Sequence, residues 1–328
     1  MTGLRGALSL SPLCVCVMLA GIAGCKDKGE QTTTPPIMST VATLPPQAPD
    51  DDTPAPEKTG GFDGKRAFAQ VAKQVGFGPR PSGSQAIGQL QNYIQSELSS
   101  YGCKVDTDDF TADTPVGRLP MKNIVAKIPG DTPGIVMLAT HYDTVLAVPN
   151  FVGADDAGSS TAVMLELARL LCAKRQRNAV WITFLDGEEA MKQWSATDSR
   201  YGSRQMAAKL AMSGDLPKIK AFLLADIVGT RGLRFKRDGN STPALVNLVW
   251  RAAANLGYSQ VFVDDTTAME DDHNPFAKRG VPVVDVIDFD IQNTYWHTPQ
   301  DALDKISSKS LAITGQVFLE SVRQLQSK

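Results

Sequence analysis

Four short apolar runs constrain this chain most: Ile135-Val136-Met137-Leu138-Ala139, Ala179 to Leu185, Ala221 to Ala225 and Val281 to Ile287. Apart from Thr183 and Asp285 each is a block of apolar residues rather than an alternation, as in strands covered on both faces. Segments with helical spacing stand around them. Ile87 to Leu98 carries apolar residues three and four apart. Ser159 to Cys172 opens with Ser and Thr and carries Met164, Leu165, Leu167 and Leu171. Leu311 to Val322 is amphipathic, and Asn123 to Ile128 reads as a further strand. Buried strands alternating with helices predict an α/β fold, a three-layer sandwich with a central, mostly parallel mixed sheet. No internal repeat or second shift in composition divides the stretch 61–328, so one catalytic domain is expected there.

The ends of the chain read differently. Arg5 precedes an apolar stretch from Ala7 to Met18, followed by small residues, the pattern of an export signal over 1–24. Ile22-Ala23-Gly24-Cys25 is similar to a bacterial lipobox, in which the Cys becomes the lipidated first residue. Residues 25–60 are rich in Lys, Asp, Thr and Pro, with few apolar side chains to offset the entropy of ordering. They are expected to form an extended tether between a membrane and the domain. The expected location is therefore the exported side of a bacterial membrane, anchored through Cys25. With 33 Lys and Arg against 35 Asp and Glu, the chain has no basic excess of the kind nucleic-acid binders carry. Beyond the leader, Cys25, Cys103 and Cys172 show no framework spacing. Cys172 falls on an apolar helical pattern and reads as a buried thiol; spacing does not decide whether it pairs with Cys103.

The polar residues that follow the apolar runs carry the chemistry. His141-Tyr142-Asp143 follows the first run, and Asp186-Gly187-Glu188-Glu189 the second. Asp226 follows the third, and His297 lies in the loop beyond the fourth. In parallel sheets ligands bind just past the carboxyl ends of the strands. Each motif alone has an ordinary explanation. H-x-D occurs in turns. Acids favour the first turn of a helix. The Asp155-Asp156 pair before a helix is a natural N-cap, and Asp226 can close a turn. Their succession at consecutive strand ends points instead to one site. Its oxygen and imidazole donors suit zinc with one coordination position left open, and a Glu beside a ligand Glu can serve as general base.

In this order and these details the chain resembles the M28 metallopeptidases over roughly residues 62–325, and among them the glutaminyl cyclases. The likeness rests on Phe151-Val-Gly-Ala-Asp-Asp-Ala-Gly158 and on Phe184-Leu-Asp-Gly-Glu-Glu-Ala190, continued by Trp194-Ser195 and Asp198-Ser-Arg-Tyr-Gly-Ser-Arg204. It also rests on Glu270-Asp-Asp-His-Asn-Pro-Phe276, with Arg279-Gly-Val-Pro282 and Trp296-His-Thr298. In ordinary M28 peptidases Gly-Ser closely follows the Glu pair. Here Ala190 to Tyr201 intervene, including Trp194, as in the cyclases. The resemblance implies Asp156, Glu189 and His297 as zinc ligands and Glu188 as proton shuttle. Asp226 and Asp271 would form a hydrogen-bonded acidic pair beside Glu188, and Trp194 and Trp296 would line the substrate pocket. It implies conversion of the N-terminal glutamine of peptides or proteins to pyroglutamate with loss of ammonia, using one Zn2+.

The same ligands fit an M28 zinc aminopeptidase with two ions, in which His141 and Asp226 hold the second; a peptide-binding lipoprotein without activity is a third reading. His141, Asp143 and Asp285 are thus assigned either to a second metal or to structure, and His273 to a hydrogen-bonded loop. Asp285 stands where animal-type cyclases carry a His. Thr140 precedes His141, so the disulfide that animal-type enzymes carry near this motif is absent.

Overall fold

The computed structural model describes residues 52–327; the export signal and Cys25 lie outside the described residues. The domain begins with α1 (Gly64–Val75), capped by the Asp63 side chain, and α2 (Gln85–Ser100), capped by Ser84. Three strands follow, β1 (Lys104–Thr114), β2 (Gly117–Ile128) and β3 (Gly130–His141). Next come α3 (Gly158–Leu171), β4 (Gln176–Leu185), α4 (Tyr201–Ser213) and β5 (Ile219–Asp226). Then come β6 (Phe235–Asp238), α5 (Pro243–Asn255), β7 (Phe262–Thr267), α6 (Asn274–Ala277), β8 (Val283–Ile287) and α7 (Ser308–Gln326).

Six strands form the central sheet in the order β1-β2-β4-β3-β5-β8. The four apolar runs are β4, β3, β5 and β8, all mutually parallel. β1 and β2 add to one edge antiparallel, which makes the sheet mixed. The runs are continuous because both faces are covered. Val136 and Leu138 of β3 join the larger core under α1, α2, α3, α5 and α7, whereas Ile135, Met137 and Ala139 join the second core under α4 and α6. α3 is the most enclosed helix: every residue from Gly158 to Ala168 is buried, as expected of a helix apolar around most of its circumference. The predicted sandwich is the observed one.

Three points add to or correct the sequence reading. First, the chain settles on the domain before residue 60. Thr59 is fully buried, its hydroxyl donates to the Phe62 carbonyl, and the Gln316 amide donates to the Lys58 carbonyl. Second, Cys172 is not a free thiol: it is bonded to Cys103, with Cα atoms 5.1 Å apart. The C-terminal end of α3 meets the turn after α2 there, a tertiary contact without a local signature. The bridge closes a separation of 69 residues. On chain-entropy grounds such a loop contributes about 4 kcal/mol. Replacing both Cys103 and Cys172 with Ser is expected to lower unfolding free energy by roughly that amount in urea titrations. Adding reductant to the wild type should reproduce much of the loss. Third, no helix follows Glu188-Glu189 directly. Residues 186–200 form an irregular loop that ends at α4, so these acids are not a helix's first turn. Among the described residues no helix is long and apolar enough to cross a membrane.

Candidate metal centre and substrate pocket

The loaded residues converge at the carboxyl ends of the parallel strands. His141 ends β3, and Asp226 ends β5. Glu188 and Glu189 follow β4, and Asp156 lies on the turn between β3 and α3. Local strain marks the same place. Among the described residues, four of the five non-glycine residues with positive φ are Ala157 next to Asp156, Ile227 next to Asp226, His297 itself and Arg200. Such backbones persist only where their surroundings over-determine them. Two glycines are required rather than convenient. Gly153 has φ +49°, and a Cβ there would sit 2.3 Å from the Asp156 carbonyl oxygen; Gly187 has φ +70°, and a Cβ would sit 2.7 Å from Met121 Sδ.

Asp156 joins two donor groups. Its Oδ2 is 3.2 Å from His297 Nε2, which is 3.1 Å from Glu189 Oε1. Its Oδ1 is 3.3 Å from His141 Nε2, which is 3.0 Å from Asp226 Oδ1. In each set the donor atoms lie within 4.8 Å of one another. Nitrogen with two carboxylate oxygens is a donor set suited to zinc. The two sets differ in access. Asp156, Glu189 and His297 all line a cavity of about 540 Å³, whereas His141 does not. All three members of the first set face the cavity, against Asp156 and Asp226 alone in the second. The electrostatics agree with a place made for positive charge. Burial opposes protonation of His297, but hydrogen bonds to Asp156 and Glu189 prevail and lift it to about 10. His141, fully buried, is raised well above its usual value because Asp226, Asp143 and Asp156 outweigh desolvation.

Glu188 lines the cavity beside this centre. Burial drives its pKa well above the carboxylate range. His141 pulls it back, and Asp271 and Glu189 push it further up. Trp194 and Trp296 also line the cavity. The Trp296 ring stacks on His297 with centroids 3.9 Å apart, and the Phe151 ring meets the same imidazole edge-on.

Two sequence assignments become more specific. Asp226 and Asp271 stand near each other, and burial and then the Asp226 charge raise Asp271. Asp226 is turned to His141, and Asp271 Oδ2 has no partner among the described residues. Asp143 stands in neither donor set. Its two oxygens accept the backbone N–H groups of Glu188 at 3.0 Å and Glu189 at 3.2 Å, so it sets the direction of the Glu pair.

Asp285 lies behind Asp271 with Asp238 and His273, all buried. His273 Nε2 is 3.4 Å from Asp238 and Nδ1 is 3.7 Å from Asp285. The nearest partner of the ring is the Asn274 side-chain amide, 2.9 Å from Nε2, and the two carboxylates stand off at opposite ring nitrogens. Desolvation lowers His273 to about 4, so it is neutral. Asp285 is raised far above the carboxylate range, first by burial and then by Asp271 and Asp238.

Several supporting residues escaped the sequence reading. Asp301 accepts the N–H groups of Asp155 at 2.8 Å and Asp156 at 3.0 Å. Asp155 in turn accepts from Gly229 N, the Thr230 hydroxyl and the Tyr295 hydroxyl, tying the ligand turn to the loops after β5 and before His297. Arg80 is fully buried and donates to the carbonyls of Val152 and Gly153. Asp186 accepts from Ser82, Tyr142 and the Lys122 N–H, anchoring the Glu-Glu loop. Arg80 and Asp301 are single residues remote in sequence from what they support, without a motif of their own, whereas Asp155 and Asp186 stand inside quoted motifs that do not show these roles.

The profile of Peptidase family M28 matches residues 123–322. A mouse glutaminyl-peptide cyclotransferase-like protein is 34% identical over 253 residues, covering 68% of this chain and 66% of the mouse protein. Among solved structures, a glutaminyl cyclase from an Acidobacteriales bacterium superposes with a TM-score of 0.78 and 43% identity, over 86% of this chain and 99% of that one. A Zn-dependent exopeptidase from Parabacteroides distasonis superposes with a TM-score of 0.74 and 28% identity, over 80% and 98% respectively. The chain therefore belongs to peptidase family M28 and, within it, to the glutaminyl cyclases.

Proposed function

We propose that this protein cyclises the N-terminal glutamine of peptides or proteins to pyroglutamate, releasing ammonia, with one zinc ion held by Asp156, Glu189 and His297. The observation that carries the reading is the cavity itself. Its inner end holds the three donors and Glu188, its walls hold Trp194 and Trp296, and its volume of about 540 Å³ suits one side chain and its backbone.

A zinc ion bound at these donors supplies a Lewis acid for the γ-carbonyl of the substrate. The chain's own residues do the rest. The apolar walls hold the glutamine folded, with its α-amine against its γ-amide carbon, so reaction is intramolecular and orientation contributes much of the rate. Glu188 takes a proton from the α-amine as the new C–N bond forms. It returns that proton to the departing amide nitrogen as the old C–N bond breaks. Asp143 keeps Glu188 and Glu189 on their separate tasks through their N–H groups. Asp226 and Asp271, both raised by burial, flank the shuttle. Water is not a reactant, and the aromatic walls help to exclude it.

The His141/Asp156/Asp226 set supports a second reading, an aminopeptidase with two ions. Turnover of N-terminal glutamine peptides set against turnover of aminoacyl-anilides separates the two, with activity on the former alone expected.

The export and anchoring suggested by residues 1–25 fit the Cys103–Cys172 bridge, since such bonds persist in oxidising compartments. The expected result of Cys25→Ala is protein released from membranes or left unprocessed. A wild-type mature protein that carries no lipid would remove the anchor from this account.

A further inference from the structure

Arg200 is an unlikely residue for its position on local grounds. Its φ is +52°, a left-handed backbone that costs a non-glycine residue about 1 kcal/mol or more. It precedes the first turn of α4, where the helix dipole disfavours a cation. Its side chain is only 5% exposed, so a charged guanidinium is taken from water. These three costs are offset by contacts that all lead to the substrate pocket.

The Arg200 N–H donates to the Glu188 carbonyl at 2.7 Å. The guanidinium carbon lies 5.1 Å from the centroid of the Trp194 ring, over its face. Nη1 donates to Asn274 Oδ1 at 3.1 Å, and that same oxygen accepts the Asp271 N–H at 3.1 Å. Nε donates to the Ser199 hydroxyl, and Nη2 is 3.5 Å from the Glu270 carboxylate at the cavity's edge. Trp194 is 38% exposed and stands on an irregular loop, so little else fixes its plane.

We propose that Arg200 is a positioning residue: it holds the Trp194 wall of the pocket in place and locks it to the loop that carries Asp271. It touches no reacting atom. It acts through Trp194 on the fit of the substrate's first side chain, and through Asn274 on the placement of Asp271. This assignment rests on the cyclase reading for the identity of the substrate, but the Arg200–Trp194 contact does not. A planar guanidinium that lies over indole and reaches Asn274, Ser199 and Glu270 from its three nitrogens is not replaced by an ammonium, so Lys is a poor substitute.

The test is a double-mutant cycle of Arg200→Met and Trp194→Ala on a peptide with N-terminal glutamine, using zinc-loaded protein. Arg200→Met is expected to raise KM about tenfold while kcat falls less than about threefold, the scale of one desolvated cation–π contact. The double variant is expected to show no higher KM than Trp194→Ala alone, with only the small fall in kcat that the Asn274–Asp271 route adds. Arg200→Lys, the variant most certain to fold, is expected to show much of the same KM increase. Acrylamide quenching of the Trp194 emission, taken by difference from Trp194→Phe, reads the contact without turnover and is expected to rise in both Arg200 variants. Multiplicative effects in the cycle, or unchanged Trp194 quenching in folded Arg200→Lys, would overturn the proposal. A wild type with no cyclase activity would instead sink the functional reading, leaving the quenching experiment to decide the role of Arg200.

Discussion

Glu188→Gln is expected to fold normally, keep its zinc and cyclise N-terminal glutamine peptides roughly two to four orders of magnitude more slowly, the usual scale for loss of a general acid–base. The amide keeps the size and much of the hydrogen bonding of the carboxylate but cannot carry the proton between amine and leaving group. Glu188 lines the cavity while its neighbour Glu189 faces His297, and Asp143 fixes both backbones. A change at position 188 is therefore separable from a change in the metal site. The kcat–pH profile should lose one limb in the variant. Wild-type turnover by Glu188→Gln would remove it from the shuttle role.

The second large effect concerns the ligands. His297→Ala and Glu189→Gln are expected to lower zinc affinity by more than ~100-fold, since even groups that merely orient a ligand are worth 10–100-fold. Metal content by elemental analysis should fall with activity. Excess zinc should restore part of the activity of Glu189→Gln and none in Glu188→Gln. In the protein without metal, Asp156 and Glu189 keep the proton on His297 up to about 10. Below that value an incoming ion must displace a proton, so affinity falls as pH falls and rises toward pH 10. Calorimetric titration at about pH 8 in buffers of different ionisation heat should detect proton release on zinc uptake. Uptake without proton release, or ligand variants with full metal content, would place the ion elsewhere.

The parallel core of the fold was legible because its physics is local and repetitive. β3, β4, β5 and β8 are covered on both faces and so read as apolar runs, interrupted only at Thr183 and Asp285. Motifs at their carboxyl ends then fall together by topology alone. β1 was not legible. Its segment Lys-Val-Asp-Thr-Asp-Asp-Phe-Thr-Ala-Asp-Thr lies at the sheet edge, mostly open to water, and carries four acids. The pair β6 and β7 is short and lies outside the main sheet. In the site, side chains embedded in dense polar motifs were legible: Asp156, Glu188, Glu189, His297, Trp194 and Trp296 all border one cavity. The direction in which a side chain points was not. Asp226 reaches His141, and Asp143 reaches backbone N–H groups, and both outcomes depend on loop conformations fixed by distant contacts. For the same reason Arg80 and Asp301 gave no signal, since each serves a segment far from it along the chain, and Arg200 stood inside a quoted motif without showing which side chain it meets.

The central claim, that the site breaks the γ-amide bond rather than the peptide bond, is tested most directly with a peptide whose N-terminal glutamine carries nitrogen-15 in its side-chain amide. Zinc-loaded protein is expected to release labelled ammonia and to leave a full-length peptide lighter by one ammonia, with no free α-amine. Free glutamine and a peptide shortened by one residue, with the label retained in the amino acid, would contradict the account and identify an aminopeptidase.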